Sequence, residues 1–111
     1  MLFELNLHPL PFSLIKTGKK DVEMRLNTPE RKKMKVGDII RFTNRESDEK
    51  LEVIMTKIVN FPTFIELYNY YPSSRLGSSN YLDMNQYYKD EDIINNGVIA
   101  IEIKLINNKG D

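Results

Sequence analysis

The sequence predicts an α+β domain, mainly β, in which a small, partly open β-barrel carries short helices on its outside. Four or five segments alternate apolar and polar residues with a period of two, which is typical of half-buried strands. Short helical segments separate them without a repeated βαβ pattern, so a doubly wound parallel sheet is not expected. The length of 111 residues suits one domain and is too short for two ordinary ones.

The first predicted strand spans residues 1–7, where apolar side chains alternate with polar ones. Pro9 and Pro11 cannot continue a central strand, but proline fits the first turn of a helix. We therefore expect a short helix over residues 11–17. Gly18 is expected to cap its C-terminal end.

The second predicted strand spans residues 21–26. Its apolar residues occupy every second position and face the core, which leaves Asp21, Glu23 and Arg25 together on the opposite face. Lys20 lies at the junction between loop and strand, where the pleat does not fix its direction. Its side chain is therefore free to turn toward Glu23.

Residues 27–59 predict a helix start followed by a β-hairpin. Asn27-Thr28-Pro29-Glu30 combines capping residues with a first-turn proline, and the basic run of residues 31–35 follows it. The next predicted elements are a turn at Gly37-Asp38, a strand over residues 39–43, a polar connection over residues 44–50 and a returning strand over residues 51–59.

The last part of the chain predicts helices followed by the closing strand. Thr63 and Glu66 have the spacing of a capping box, at the start of a helix that Pro72 ends. The remaining predicted elements are a loop through Asn80, a helical turn capped by Asp83, a helix over residues 90–95 closed by Asn96-Gly97, and a strand over residues 97–105.

Composition excludes several kinds of site. The chain has no cysteine and a single histidine, His8. Disulfides and thiolate nucleophiles are therefore excluded, and the usual zinc or iron sites lack their Cys and His ligands. The GxGxxG, P-loop and GxSxG patterns are also absent. The chain therefore lacks the loops required for dinucleotide redox chemistry, for nucleotide hydrolysis by a P-loop and for a hydrolase triad. We expect no metal and no cofactor. With no apolar run of about 20 residues and no basic leader, we expect a cytoplasmic protein without a membrane partner.

Charge is divided unevenly along the chain, although the net charge is zero. Residues 1–45 contain ten Lys or Arg against five Asp or Glu, and residues 46–111 contain six against eleven. This asymmetry indicates one basic face. Two oppositely charged halves that attract each other on folding explain it equally well.

One stretch carries a motif. Gly18 is followed by Lys19-Lys20, then by Glu23 and Arg25, and further on by Val36-Gly37-Asp38 at the start of a strand. This pattern resembles the ASCH family of the PUA-like superfamily, in particular its small single-domain prokaryotic members. The resemblance extends to the opening strand, the first helix, the segment 75–77 and the closing strand. It implies a PUA-like barrel, which we expect over residues 1–106, with a polar tail over residues 107–111.

The resemblance also implies a pocket for RNA or a nucleotide. ASCH proteins are thought to line this pocket with the motif that Lys20, Glu23 and Arg25 match here. In bacterial members that hydrolyse N4-acetylcytidine, the motif lysine is catalytic and a threonine three positions later assists it. Lys20 matches that lysine, but Glu23 stands at the position of the threonine. The third catalytic residue of those enzymes, a glutamate, has no assigned counterpart in this chain.

The chemistry of the three residues supports a shared site. Glu23 and Arg25 lie on one face of a strand and present an acceptor and a planar donor fork to one cleft. An arginine keeps a neighbouring carboxylate ionised, and a lysine in a poorly hydrated cleft loses its proton more easily. Lys20 is therefore the candidate base or nucleophile, with Glu23 as its catalytic partner. The alternative is an exposed network of ion pairs.

Basic and aromatic residues supply further candidates. The run of residues 31–35 suits an RNA backbone, although a solvated helix face is the commoner meaning of such a run. All six tyrosines lie between Tyr68 and Tyr88, and the later ones are expected to stack on bases. His8 is expected to cap or pack, with ligand contact as the alternative. The candidate nucleic-acid-binding residues are Lys19, Lys20, Glu23, Arg25, Arg31, Lys32, Lys33, Tyr81, Tyr87 and Tyr88.

Three functions remain open from the sequence. The preferred one is a domain that binds RNA or a nucleoside-sized piece of it. The alternative is a small hydrolase that acts on a modified cytidine or on an RNA phosphodiester, with Lys20 as base or nucleophile. The third is a protein-interaction module with a vestigial cleft. The sequence gives no indication of the oligomeric state.

Overall fold

The fold is a five-stranded mixed sheet that curves into a half-barrel, with short helices around it. A computed structural model describes residues 1–108. The strands are β1 (Leu2–Leu7), β2 (Val22–Leu26), β3 (Ile39–Asn44), β4 (Lys50–Phe61) and β5 (Val98–Asn108), in the order β1-β3-β4-β5-β2 across the sheet. The predicted fold class, a small and partly open barrel with outer helices, is confirmed.

The half-barrel is open between its two outermost strands. β1 pairs in parallel with β3, and the other neighbouring strands pair antiparallel. In the part of the chain that the structure describes, β1 and β2 each have one neighbour in the sheet. A side-chain contact crosses the gap between them, where Arg25 Nη2 of β2 donates to the Asn6 carbonyl of β1 at 3.0 Å. The gap leaves room for a cleft between the two strands.

Short helices cover the sheet. They are α1 (Pro9–Lys16), α2 (Phe64–Tyr70), α3 (Ser73–Leu76), α4 (Leu82–Asn85) and α5 (Asp90–Asn96). α1 follows His8 directly, two residues earlier than the proline pattern predicted. α2 begins with the predicted capping box, in which Glu66 accepts from the Thr63 backbone at 3.1 Å. Within residues 1–108, no helix is long and apolar enough to cross a membrane.

Two apolar cores lie on opposite faces of the sheet. β5 contributes to both, since Ile99 and Ile101 belong to the first core and Val98 and Ala100 to the second. The first core includes residues of α1, and the second includes residues of α2, α3 and α5. Because helices cover both faces, side chains on either face of β2 are shielded from water.

Three segments differ from the prediction. The expected helix start yields only a single 3-10 turn, Arg31–Lys33, because the basic run has no apolar stripe to bury a longer helix. The expected loop contains α3, which follows Pro72 and ends at Gly77 in the left-handed conformation. Asp83 lies inside α4 rather than at its N-cap.

The closing strand is longer than predicted. β4 and β5 pair from Leu51 with Asn108 to Phe61 with Val98. β5 therefore takes up residues 107 and 108, the first two of the expected polar tail. The rest of that tail, residues 109–111, lies outside the described residues.

Gly97→Ala should lower the free energy of unfolding by roughly 2–3 kcal/mol, and Gly18→Ala by about 1 kcal/mol. Both glycines have a positive φ, 69° at Gly97 and 80° at Gly18, where a side chain strains the backbone. A Cβ at Gly97 would also lie 3.0 Å from the Phe61 backbone oxygen, whereas nothing lies within 4 Å of one at Gly18. Urea denaturation measures the two losses. Equal losses would show that the close approach at Gly97 has no energetic weight.

Candidate functional site

A cleft of about 400 Å³ opens at the gap between β1 and β2. Its walls come from the end of β1, from α1, from β2 and from the segment between α3 and the residues after α4. These parts are far apart in the sequence, so the cleft exists only in the folded chain. Its volume falls in the range of about 300–1,000 Å³ that is usual for small-ligand sites.

A buried carboxylate lies at the base of the cleft. Glu23 is 4% exposed, and its pairing with Ile101 of β5 directs it toward the first core. Its Oε1 accepts from the Met24 backbone at 3.1 Å and lies 3.5 Å from Lys20 Nζ. Its Oε2 accepts from Arg25 Nε at 3.0 Å and lies 3.0 Å from Arg25 Nη2. A carboxylate at this depth is stable because cations and an N–H group surround it.

Lys20 is as deeply buried as its partner, at 4% exposed. Its Nζ donates to the carbonyl of Val22 at 2.8 Å and to that of Leu76 at 2.7 Å. These carbonyls give the ammonium two hydrogen-bond acceptors, and Glu23 Oε1 lies 3.5 Å away as the opposite charge. Lys20 also packs against Gly77, where a Cβ would lie 3.2 Å from Lys20 Cδ. The lysine therefore ties β2 to the end of α3.

Arg25 connects the carboxylate to the other side of the gap. Its guanidinium donates to Glu23 and to the Asn6 carbonyl, which fixes the plane of the group. The Arg25 side chain is 15% exposed. Within residues 1–108, its Nη1 has no hydrogen-bond acceptor. Arg25 is thus a rigid donor, and its Nη1 remains for a further acceptor.

Burial and charge act in opposite directions on the pKa values of this group. Burial alone raises the pKa of Glu23, but the charges of Arg25 and Lys20 and the hydrogen bonds to the carboxylate outweigh it, so the pKa is lowered. Burial lowers the pKa of Lys20, and the Glu23 charge opposes that effect only in part. The two carbonyl acceptors of Lys20 Nζ and the Glu23 charge favour its ammonium form.

Aromatic rings line the rim of the cleft. His8 and Tyr87 stack, with ring centroids 6.0 Å apart and 27° between the planes. Tyr88 stacks on Phe64 of the second core at 5.9 Å and 19°. Arg45 Nη1 lies 3.4 Å from His8 Nε2. Tyr87 is 57% exposed, so the rim offers one open ring and one that the core holds in place.

The structure brings together half of the sequence-predicted site residues. Those that line the cleft are Lys20, Glu23, Arg25, Tyr87 and Tyr88. Arg31 and Lys32 line a second groove instead. Lys19 and Lys33 are exposed and line neither cavity. Tyr81 packs against the second core.

The cleft also contains residues that the sequence analysis missed. Arg45 follows β3 and reaches the rim, and Asp83 accepts from the Ser78 hydroxyl at 2.8 Å. No local pattern marks Arg45 or Asp83, because only tertiary contacts bring them to the cleft. For Ser78 the sequence gave one indication, because this residue directly follows the segment 75–77 that resembles the family. Within residues 1–108, no three His, Asp or Glu side chains are grouped as metal ligands.

Arg75, in the same segment, forms ion pairs outside the cleft. Its Nε lies 2.8 Å from Asp21 Oδ1, and its Nη2 lies 3.3 Å from Glu102 Oε1. The Tyr71 hydroxyl donates to the same Glu102 at 2.8 Å, and Tyr71 is buried. These contacts fasten α3 to the sheet and so hold the Leu76 carbonyl that Lys20 uses.

Comparison with known proteins shows the family. The sequence profile of the ASCH domain matches residues 5–107. The chain belongs to the ASCH domain family. All residues that line the cleft of this ASCH domain fall within the matched range.

Solved structures share the fold of this ASCH domain. The crystal structure of hypothetical protein PH0355 is 32% identical with a TM-score of 0.84, over 96% of this chain and 100% of that chain. The NMR structure of protein PF0455 from Pyrococcus furiosus is 28% identical with a TM-score of 0.75, over 96% and 99%. A mutant of ZmASCH from Zymomonas mobilis is 18% identical with a TM-score of 0.72, over 96% and 73%, and shows the fold alone. None of the curated proteins matches the chain.

Lys20→Met should lower the free energy of unfolding by about 3–5 kcal/mol, because it removes one of the two cations beside the buried Glu23 carboxylate and the hydrogen bonds to two carbonyls. Lys16→Met is the control. It removes the cation of an exposed pair with Glu49 and should cost less than about 1 kcal/mol. Urea denaturation of both variants measures the losses. A loss at Lys20 no larger than that at Lys16 would contradict the structural weight of the buried pair.

Acid should destabilise the domain through Glu23. Folding lowers its pKa from 4.5, so its contribution is complete above pH 4.5 and is lost as the pH falls through its folded-state pKa. Between about pH 6 and about pH 3, wild type should lose stability more steeply than Glu23→Gln. Thermal denaturation across this range gives both curves. Asp38 and Glu66 also have lowered pKa values, but both proteins contain them. Parallel curves would rule out Glu23 as the source.

Proposed function

We propose that this ASCH domain binds single-stranded RNA and holds one nucleoside unit in the cleft. The observation that carries the proposal is a rigid arginine and open aromatic rings in one concave site. The PUA-like fold of the ASCH family is generally of the RNA-binding kind, which supports the same function. The preferred hypothesis from the sequence and the geometry of the cleft thus point in one direction.

Tyr87 supplies the stacking surface. Unpaired bases stack on aromatic side chains with little regard to sequence, because every base has a π face. One side of the Tyr87 ring lies against His8, and most of the remaining ring is open to solvent. A base seated in the cleft stacks on that open part. Leu10 and Met84, which also line the cleft, add apolar surface for the base edge.

The polar groups of the cleft suit a base edge or sugar hydroxyl. Arg25 offers a donor whose orientation the protein fixes. On the α3–α4 side, Ser78 and Asp83 offer a hydroxyl and carboxylate acceptors. A few convergent polar groups in a largely apolar pocket are what orients a small ligand.

The geometry favours binding over the hydrolase alternative. A general base or nucleophile must direct a lone pair at its substrate. The Lys20 ammonium is instead surrounded by the Val22 and Leu76 carbonyls and by Glu23. Glu23 in turn accepts from a backbone N–H and from Arg25. Lys20 and Glu23 therefore form the structural base of the cleft rather than its reactive groups.

Tyr87→Ala should weaken binding of a short single-stranded RNA by about 1–3 kcal/mol, or roughly 5- to 150-fold, because one stacked base loses its platform. Tyr70→Ala is the matched control, since Tyr70 is also 57% exposed but lies against Phe61 and Tyr71 and does not line the cleft. Its affinity should equal that of wild type. Fluorescence anisotropy with a labelled random hexaribonucleotide at low salt measures both. Equal losses would refute stacking on Tyr87.

A turnover assay separates binding from catalysis. Wild type incubated with N4-acetylcytidine, or with the hexaribonucleotide, should return both unchanged on chromatography. Release of cytidine or of shortened RNA, abolished by Lys20→Arg, would replace the binding proposal by the hydrolase alternative. If wild type neither binds the RNA nor turns over either compound, the protein-interaction module is the hypothesis that remains.

A further inference from the structure

A second groove, of about 410 Å³, lies beside the 3-10 turn. Its polar side chains are Asn27, Arg31, Lys32, Lys35 and Asn60. Its other lining residues are apolar and come from β4, from β5 and from the segment after the turn. Among the described residues that line it, none is acidic. The groove is therefore concave, basic and apolar at its base.

The cations of this groove form no close ion pair with the described part of the protein. Arg41 pairs with Glu52 on the sheet, and Arg75 pairs with Asp21. Within residues 1–108, no ion pair involves Arg31, Lys32 or Lys35. Three positive charges without a close ion-pair partner in a concave site attract anions.

Arg31 lies between the groove and the cleft. Its Nη1 donates to the Leu26 carbonyl at 3.2 Å, and its Nε is buried without an acceptor in the described residues. Burial and the charge of Arg25 lower the pKa of Arg31, and the charge of Glu23 opposes them. Arg25, which lines the cleft, also pairs across the sheet with Ile99, which lines the groove. The two cavities are thus neighbours along β2 and β5.

We propose that the second groove binds a phosphate of the RNA strand whose adjoining nucleoside occupies the cleft. The ligand is then an oligoribonucleotide of at least two units, and a free nucleoside fills only part of the site. This inference rests on the proposed function of the cleft and deepens it.

The groove has the groups that a sugar-phosphate unit needs. Lys32 and Lys35 neutralise phosphate oxygens, which is where proteins obtain most sequence-independent affinity for nucleic acid. Asn27 Nδ2 lies 3.5 Å from Asn60 Oδ1, so the two amides present both donors and acceptors, as a ribose hydroxyl requires. Ile58 adds apolar surface for the sugar ring.

The 3-10 turn decides which cations take part. Successive residues of a 3-10 helix point about 120° apart. Arg31 and Lys32 both line the groove, whereas Lys33, the third residue of the turn, does not. Lys33 belongs to the same basic run and carries the same charge, so it provides an internal control.

Two double variants with equal loss of charge test the inference. Lys32→Gln/Lys35→Gln removes two groove cations. Lys19→Gln/Lys33→Gln removes two exposed lysines that line neither cavity. Anisotropy with the random hexaribonucleotide, from about 50 mM to about 200 mM KCl, gives affinity and salt dependence. An NMR titration with the four ribonucleosides reports on the cleft by itself.

The groove variant should lose at least about ten-fold in affinity for the RNA at the lowest salt, and the slope of log K against log salt should fall by about 0.7, the value for one phosphate contact on a single strand. The control variant should lose less than about three-fold. Binding of ribonucleosides should be unchanged in both variants, because a nucleoside has no phosphate.

Three outcomes would overturn the inference. Equal losses in the two variants would show diffuse attraction rather than a site. An unchanged groove variant, in a protein that binds both RNA and nucleosides, would leave the cleft to act alone. A wild type that binds neither nucleosides nor RNA would remove the proposed function, and this inference with it.

Discussion

The site depends on one buried carboxylate. Glu23 holds Lys20 on one side and Arg25 on the other, and each of these cations bonds to a further part of the chain. Lys20 reaches the end of α3 through the Leu76 carbonyl, and Arg25 reaches β1 through the Asn6 carbonyl. Without the carboxylate, two like charges would face each other in a poorly hydrated space. A single acidic side chain thus sets the relative positions of three walls of the cleft.

The sequence was sufficient for the sheet and for the pairing at its centre. Strict alternation predicted the strands, and the two-residue spacing placed Glu23 and Arg25 on one face. The sequence did not predict how deeply the side chains on that face are buried, because the pattern of β2 does not show that α1 and the first core cover its polar side. Burial of charged side chains is a tertiary effect, since it requires cations and carbonyls from distant segments. For the same reason neither Arg45 nor Asp83 could be found from local pattern.

The basic run shows how a small change of helix type redistributes charge. Read as an α-helix, its lysines form one broad cationic surface. As a 3-10 turn followed by an extended Met34, the run places the exposed Lys32 and Lys35 along a groove, whereas the exposed Lys33 lies outside it. The sequence carried a weak signal for this outcome, because the run lacks the apolar residues that would bury a longer helix. Direction of side chains, more than the count of charges, separates a binding site from a solvated face.

The gap between β1 and β2 affects the stability of the domain. Each outer strand is held to the sheet by one ladder and each inner strand by two, so the cleft is walled by the strands with the fewest backbone bonds. A ligand bound in the cleft contacts residues that only the folded chain brings together. Binding therefore stabilises the folded state relative to the unfolded state, and the domain melts at a higher temperature with the ligand than without it.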